Sequence, residues 1–150
     1  MNQIIDLLTE YNNKTELIVD FESATWNTVA THEVFTVTGL IAAKLVCLCT
    51  EDIDDGASGG TLEAGVESDT DAFIATTTGT DIDVDAIWLD ATPADYYVVA
   101  TIPELIVNDL DIGYEIKTGA LTNGNILFIL FWRPLEDGAT VTIGAGGVLV

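Results

Sequence analysis

A chain of 150 residues has the commonest size for one domain and buries roughly 70% of its unfolded surface on folding, so a core forms without disulfides or metals. Apolar residues make up 49% of it, with Thr, Ile and Val prominent; β-branched side chains suit a half-buried pleated surface better than a helix, which predicts an all-β fold. Only 4 basic residues stand against 25 acidic ones, a formal net charge of −21, and because phosphate is bound by Lys and Arg that release counterions, nucleic acid and anionic membrane are excluded as partners.

The acidity itself has four readings: solubility through mutual repulsion, a salty environment, divalent-cation binding, or a positively charged partner surface. At the N-terminus, "MNQIIDLLTEYNNK" carries no basic leader region and no small-residue cleavage site, so no signal peptide is expected. Ile4, Ile5, Leu7, Leu8 and Tyr11 recur at helical spacing until Asn12-Asn13. This predicts a short amphipathic helix or arm over residues 1–14, standing partly apart from a single β domain over residues 15–150.

After Lys14 the period becomes two. "ELIVDFE" reads as a strand, and "ATHEVFTVTG" as a second, closed by Gly39. "LIAAKLVCLCTE" follows at once, as a hairpin partner or as a bent continuation. Within it, Cys47 and Cys49 share a face but stand too close in sequence to pair comfortably; they are expected to be small buried hydrophobes in a reduced environment. "DIDDGASGG" reads as a loop, "TLEAGVES" and "AFIATTT" as short strands, "DAIWLDAT" as a strand ended by Pro93, and "DYYVVATI" as a strand running to Pro103. "ELIVNDLDIGYEIKTG" is expected to hold two strands around a bulge at Asp111 or Gly113. Asn123-Gly124 and Asp137-Gly138 read as turns around the last long strand. The regular turn spacing predicts an antiparallel sandwich or jelly-roll-like barrel of about eight to ten strands.

The run from Ile126 to Trp132 is apolar on both faces, whereas an antiparallel strand with one wet face alternates. It lies either under other elements of the chain or against another subunit. No stretch is long enough to span a membrane, so the protein is expected to be soluble.

Candidate chemistry begins with Asp81, Asp83 and Asp85, which share one face if the segment is extended. An EF-hand loop opens with the same spacing but then needs Gly at its sixth position and Glu at its twelfth; those places hold Ala86 and Thr92. The dedicated calcium loop is rejected and a solvated strand entrance expected, with Asp52, Asp54, Asp55, Asp69 and Asp71 as further oxygens for a loose divalent site. One histidine, His32, and two cysteines cannot complete a zinc site. No serine among Ser23, Ser58 and Ser68 lies in a nucleophile elbow, and Gly144–Gly147 lacks the lysine of a phosphate loop. Paired carboxylates for glycoside hydrolysis are not excluded by counting, but among so many acids no pair stands out. The expectation is no enzyme, no cofactor and no dedicated metal centre. Trp26, Trp88 and Trp132 read as core or interface anchors, and Tyr96-Tyr97 place one ring on each face of a strand.

Three phrases, "SATWNTVATHEVFTVTG" (Ser23–Gly39), "SDTDAFIATTTGTDIDVDAIWLDATP" (Ser68–Pro93) and "LDIGYEIKTGALTNGNILFILFWRPLEDGATV" (Leu110–Val141), resemble small virion proteins of tailed bacteriophages of the head decoration, or cement, type. The resemblance covers about half the chain and carries no catalytic signature. It implies a β-rich knob, often a trimer, seated on the major capsid protein at the outer head surface and made in the host cytoplasm. From the doubly apolar run, with the acids pushed to an outer rim, a homo-oligomer is expected, most simply a trimer, with part of Leu127–Trp132 in the contact and the Ile4–Tyr11 arm free to dock on capsid. The alternative is a carbohydrate- or surface-binding fibre or adhesin module, with Trp and Tyr rings stacking on sugars.

Overall fold

The computed structural model describes residues 11–144. Ten strands, all paired antiparallel, build two sheets that pack face to face as an open sandwich rather than a closed barrel. The strands are β1 (Asn13–Asp20), β2 (Thr31–Thr38), β3 (Leu40–Asp54), β4 (Thr61–Val66), β5 (Asp69–Thr78), β6 (Ile87–Trp88), β7 (Leu105–Asn108), β8 (Ile112–Lys117), β9 (Asn123–Pro134) and β10 (Thr140–Ile143). The first sheet runs β1-β9-β3-β6, with β7 also on β3; the second runs β10-β2-β8-β4-β5. Most successive strands swap sheets, and β4–β5 is the tight hairpin, closed through Glu67-Ser68.

Alternation creates the core. Ile126, Phe128, Leu130 and Trp132 of β9, with Ile41, Ala43, Leu45, Cys47 and Cys49 of β3, face Ile112, Tyr114 and Ile116 of β8 and Leu62, Ala64 and Val66 of β4. Rings form its centre: Tyr114 stacks on Phe128 at 5.4 Å and on His32 at 5.0 Å, and Trp88 meets Phe128 edge-on. Both cysteines are free and buried, as expected.

The doubly apolar strand proves to have its second cover within the chain. On the outer face of β9, Ile129 and Phe131 are buried in a separate cluster with Tyr11, Ala42, Val46, Leu89 and Ile102. The cover is the segment between β6 and β7, which is no strand: after Trp88 it makes one bridge, Ile87 to Ala94, and a single 3₁₀ turn at Val99–Thr101. Pro93 and Pro103 bracket it, removing N–H donors a strand would need. Tyr11 donates its O–H to Glu104 Oε2, the same oxygen lies 3.8 Å from Arg133, and the Arg133 guanidinium lies 5.3 Å from the Tyr11 ring centre. These contacts pin the cover to the sheet.

Other local expectations shift. Asn13 and Lys14 already belong to β1, Tyr11 to the outer cluster, and Asn12 is an exposed bend between them; residues 1–10 of the expected helix or arm lie outside the described residues. β2 and β3 form no hairpin but lie in opposite sheets, joined at Gly39 (φ +79°), where a Cβ would approach Glu136 to 2.8 Å. Asn123-Gly124 is not a turn: it opens β9, with Asn123 paired to Asp54. Asp137-Gly138 does form one, with Gly138 at φ +83°. The bulge expected at Asp111 or Gly113 sits on the partner strand, between Glu33 and Phe35 of β2. Gly113 faces it because a Cβ there would run into the His32 carbonyl. β3 and β5 also reach further than expected: β3 runs on to Asp54, into the expected loop, and β5 begins at Asp69, ahead of Ala72.

Candidate functional site

Three polar or concave places stand out on this frame. The first is the acidic end of the sandwich. Asp81, Asp83 and Asp85 do not share a strand face: Asp81 ends a 3₁₀ turn (Gly79–Asp81), Ala86 N–H closes a turn onto the Asp83 carbonyl, and Asp85 has φ +70°. Asp tolerates the left-handed region better than most residues, so the triplet that resembles a strand edge in sequence is a coiled loop. The neighbouring carboxylates are occupied by backbone. Asp55, buried, accepts N–H bonds from Ala57, Gly59 and Gly60 at 2.9–3.1 Å. Asp54 accepts from Gly56, and Asp52 from Val84. They shape the loop they were expected to offer to a cation. Among the described residues, no group of three or more His, Cys, Asp or Glu side chains is arranged to hold a metal ion. Chelator is therefore expected to move the melting temperature by less than about 2 °C, since a structural site contributes several kcal/mol to folding; a larger drop in differential scanning calorimetry would show that the acidic end holds metal.

The second place is on the outer face of the β10-β2-β8-β4-β5 sheet. The register sets Glu63 of β4 directly opposite Glu115 of β8, and Thr61 opposite Lys117. Like charges opposed across strands repel, and Lys117 answers both, at 2.9 Å from Glu63 and 3.7 Å from Glu115. Thr70 donates to Glu63 at 2.6 Å and Thr76 donates to its other oxygen. Burial alone would raise the Glu63 pKa; the bonds from Thr70, Thr76 and Lys117, with the lysine's charge, outweigh it and hold the carboxyl at about 2 instead of 4.5. A carboxylate so firmly ionised and enclosed by donors is a poor general acid or base at neutral pH. Its role is to fasten β4, β5 and β8 together.

The third is a pocket of about 280 Å³ at the seam between β5 and the cover segment, walled by Phe73, Leu89, Ile102 and Pro103, with Asp90 and Tyr97 at its polar side. Asp90 Oδ1 accepts the Thr92 N–H at 2.7 Å and the Tyr97 O–H at 3.2 Å. Burial first, then the Asp90 charge, push the Tyr97 phenol up to about 12, so it stays a donor. The segment is held behind by Trp88, whose indole N–H donates to Thr77 while Thr77 donates to the Asp90 carbonyl. Neither this pocket nor the Glu63 cluster shows in the sequence: the cluster joins three strands that become neighbours only once register is set, and the pocket joins β5 to a segment without regular structure.

The remaining candidates are structural. His32 is buried, its Nε2 bonded to the Thr28 carbonyl at 2.8 Å and its ring stacked on Tyr114. Trp88 and Trp132 are buried, each with its indole N–H on a threonine hydroxyl, and Trp26 is half-buried beside Tyr114. Tyr96 is the strongly exposed ring, at 76%. Among the described residues no helix is long and apolar enough to cross a membrane. The fold and these places define an acidic antiparallel β-sandwich domain. No family model, no curated protein and no solved structure matches the chain.

Proposed function

We propose that the chain is a structural virion protein, a decoration or cement protein that binds the major capsid protein at the outer surface of a phage head as an oligomer, most simply a trimer. The observation that carries this reading is a row of apolar residues crossing the outer face of the first sheet. Ile18 of β1 pairs with Leu127 of β9, Leu127 with Leu48 of β3, and Leu48 with Ile87 of β6. Ile18 is 58% exposed and the other three are half-buried. Leu48, Ile87 and Leu127 pack partly against the outer cluster while Ile18 stands open, and an apolar strip on a sheet face suits contact between folded surfaces better than capture of a small molecule. The phrases that resemble phage virion proteins point the same way. The contact expected over Leu127–Trp132 contracts to Leu127, because Ile129 and Phe131 are covered by the chain itself.

The sugar-binding alternative has less support. Its stacking platforms were to be Trp and Tyr rings, and the three tryptophans point into the core or its margin, leaving Tyr96 as the one strongly exposed ring among the described residues. The test is whether the protein sediments with intact particles at a copy number that is a multiple of capsid sites, and whether light scattering at micromolar concentration finds an oligomer burying more than about 1,000 Å². Ile18→Asp is expected to leave the fold intact and abolish both. A monomer that does not sediment with particles would overturn the reading.

A further inference from the structure

Beneath the cover segment the apolar pocket has a single carboxylate at its side, and the chain around it is short of cations. Three of the basic residues are engaged with acids of their own: Lys14 with Glu16 at 3.5 Å, Lys117 with Glu63, and Arg133 with Glu104. At −21 the domain attracts positive charge from any direction, but most of its acids lie on open loops and strand ends, where water competes. Asp90 differs. It borders a concavity lined by Phe73, Leu89, Ile102 and Pro103, and an apolar wall strengthens a charge pair by excluding water.

We infer that this pocket receives an arginine side chain from a partner protein, its stem against Leu89, Ile102 and Pro103 and its guanidinium on Asp90. Size supports a side chain over a cofactor: about 280 Å³ lies below the range of roughly 300–1,000 Å³ that encloses drug-sized ligands. Both bonds Asp90 accepts fall on Oδ1, which leaves Oδ2 as the acceptor for an incoming N–H. Arginine suits the site better than lysine because guanidinium is weakly hydrated, so moving it from water to an apolar wall costs less, and because it lies flat on rings such as Phe73 and Tyr97. A partner chain rather than a free cation is favoured by the surroundings: Tyr96 and Val98, the chain neighbours of Tyr97, lie outside the pocket lining but are 76% and 60% exposed, open apolar surface that a partner chain covers and a free cation does not. This inference stands apart from the virion reading, since the peptide probe below needs neither capsid nor oligomer.

The test is a ¹H–¹⁵N titration of the full chain, in buffer of physiological ionic strength, with acetyl-Gly-Arg-Gly-amide and with its neutral citrulline isostere. Saturable shifts are expected on the amides of 89–92, 97–102 and Glu104, with a dissociation constant on the order of millimolar and at least about tenfold weaker binding of the citrulline peptide. Asp90→Asn keeps an oxygen for the Thr92 and Tyr97 bonds and removes only the charge; it is expected to weaken arginine binding at least about fivefold, against less than about twofold for Asp95→Asn, which removes the same charge nearby. Ala75→Phe, which fills the pocket from β5 without touching the carboxylate, is expected to abolish the shifts. Equal binding of both peptides, equal effects of Asp90→Asn and Asp95→Asn, or full binding by Ala75→Phe would each overturn the proposal and leave diffuse attraction to an acidic surface.

Discussion

Phe131→Ala is expected to lower the unfolding free energy by about 3–4 kcal/mol, the cost of emptying a fully enclosed phenylalanine site, although Phe131 lies on the face of the sheet that a bare two-layer sandwich exposes. Its ring is fully buried beneath Tyr11 and the cover segment, between Lys14 of β1 and Lys44 of β3 in the register. Ile18→Ala, on the same outer face but 58% exposed, is expected to cost less than about 1 kcal/mol. Urea unfolding followed by tryptophan fluorescence measures both. The contrast isolates the cover: if residues 89–104 did not dock, the two variants would differ little. Domains of this size are stable by only about 5–15 kcal/mol, so the loss at Phe131 is a large fraction of the whole. It also bears on the pocket, because Leu89 and Ile102 contribute both to the cluster around Phe131 and to the pocket wall.

Period-two alternation made the sandwich legible in the sequence, since an inward residue at every second position is what a sheet facing a core requires. "DYYVVATI" misled because β-branched and aromatic content measures how well a residue packs, not whether its backbone is paired; here Tyr97, Val99 and Ile102 pack as a lid. The two prolines bracketing the segment were the available sign. Asn123-Gly124 has the composition of a tight turn, yet Gly124 at φ +111° is needed where β9 crosses β3, a Cβ there meeting the Ile53 side chain at 2.6 Å. The run Ile126–Trp132 announced two covers without saying whose. Which chain supplied the second depended on a segment with no regular structure, and irregular segments leave little periodic trace. The Glu63 cluster was hidden for a related reason: its members come from three strands, and abundance of acid gave no ground for choosing Glu63 among 25.

That buried carboxylate sets how the domain meets acid. Folded Glu63 titrates at about 2 and an ordinary glutamate at 4.5. A carboxyl whose folded pKa is depressed adds stability that is fully present above the unfolded value and is lost as pH falls toward the folded one. The window is therefore pH 4.5 down to about 2, and the loss across it is about 2–3 kcal/mol, allowing for the exposed side of its partner Lys117. Lys117 keeps its charge throughout, because the whole window lies far below the ordinary lysine value of 10.5, from which its bond to Glu63 shifts it further upward. Asp69, nearby on β5, is shifted the other way by its bond with Asp71; it takes up its proton earlier and does not share this fall. Glu63→Gln retains the shape and one acceptor but loses the charge between Thr70, Thr76 and Lys117. It is expected to cost about 2 kcal/mol at pH 7 and to flatten the acid limb between pH 4.5 and 2. Glu16→Gln, which breaks the exposed Lys14–Glu16 pair, is expected to change stability by less than about 0.5 kcal/mol and leave that limb alone. Chemical denaturation repeated across this pH range reads both variants. An acid limb as steep in Glu63→Gln as in the parent would mean that the other carboxylates, and not this one, carry the acid response, and that β4, β5 and β8 are held by their backbone ladder and core alone.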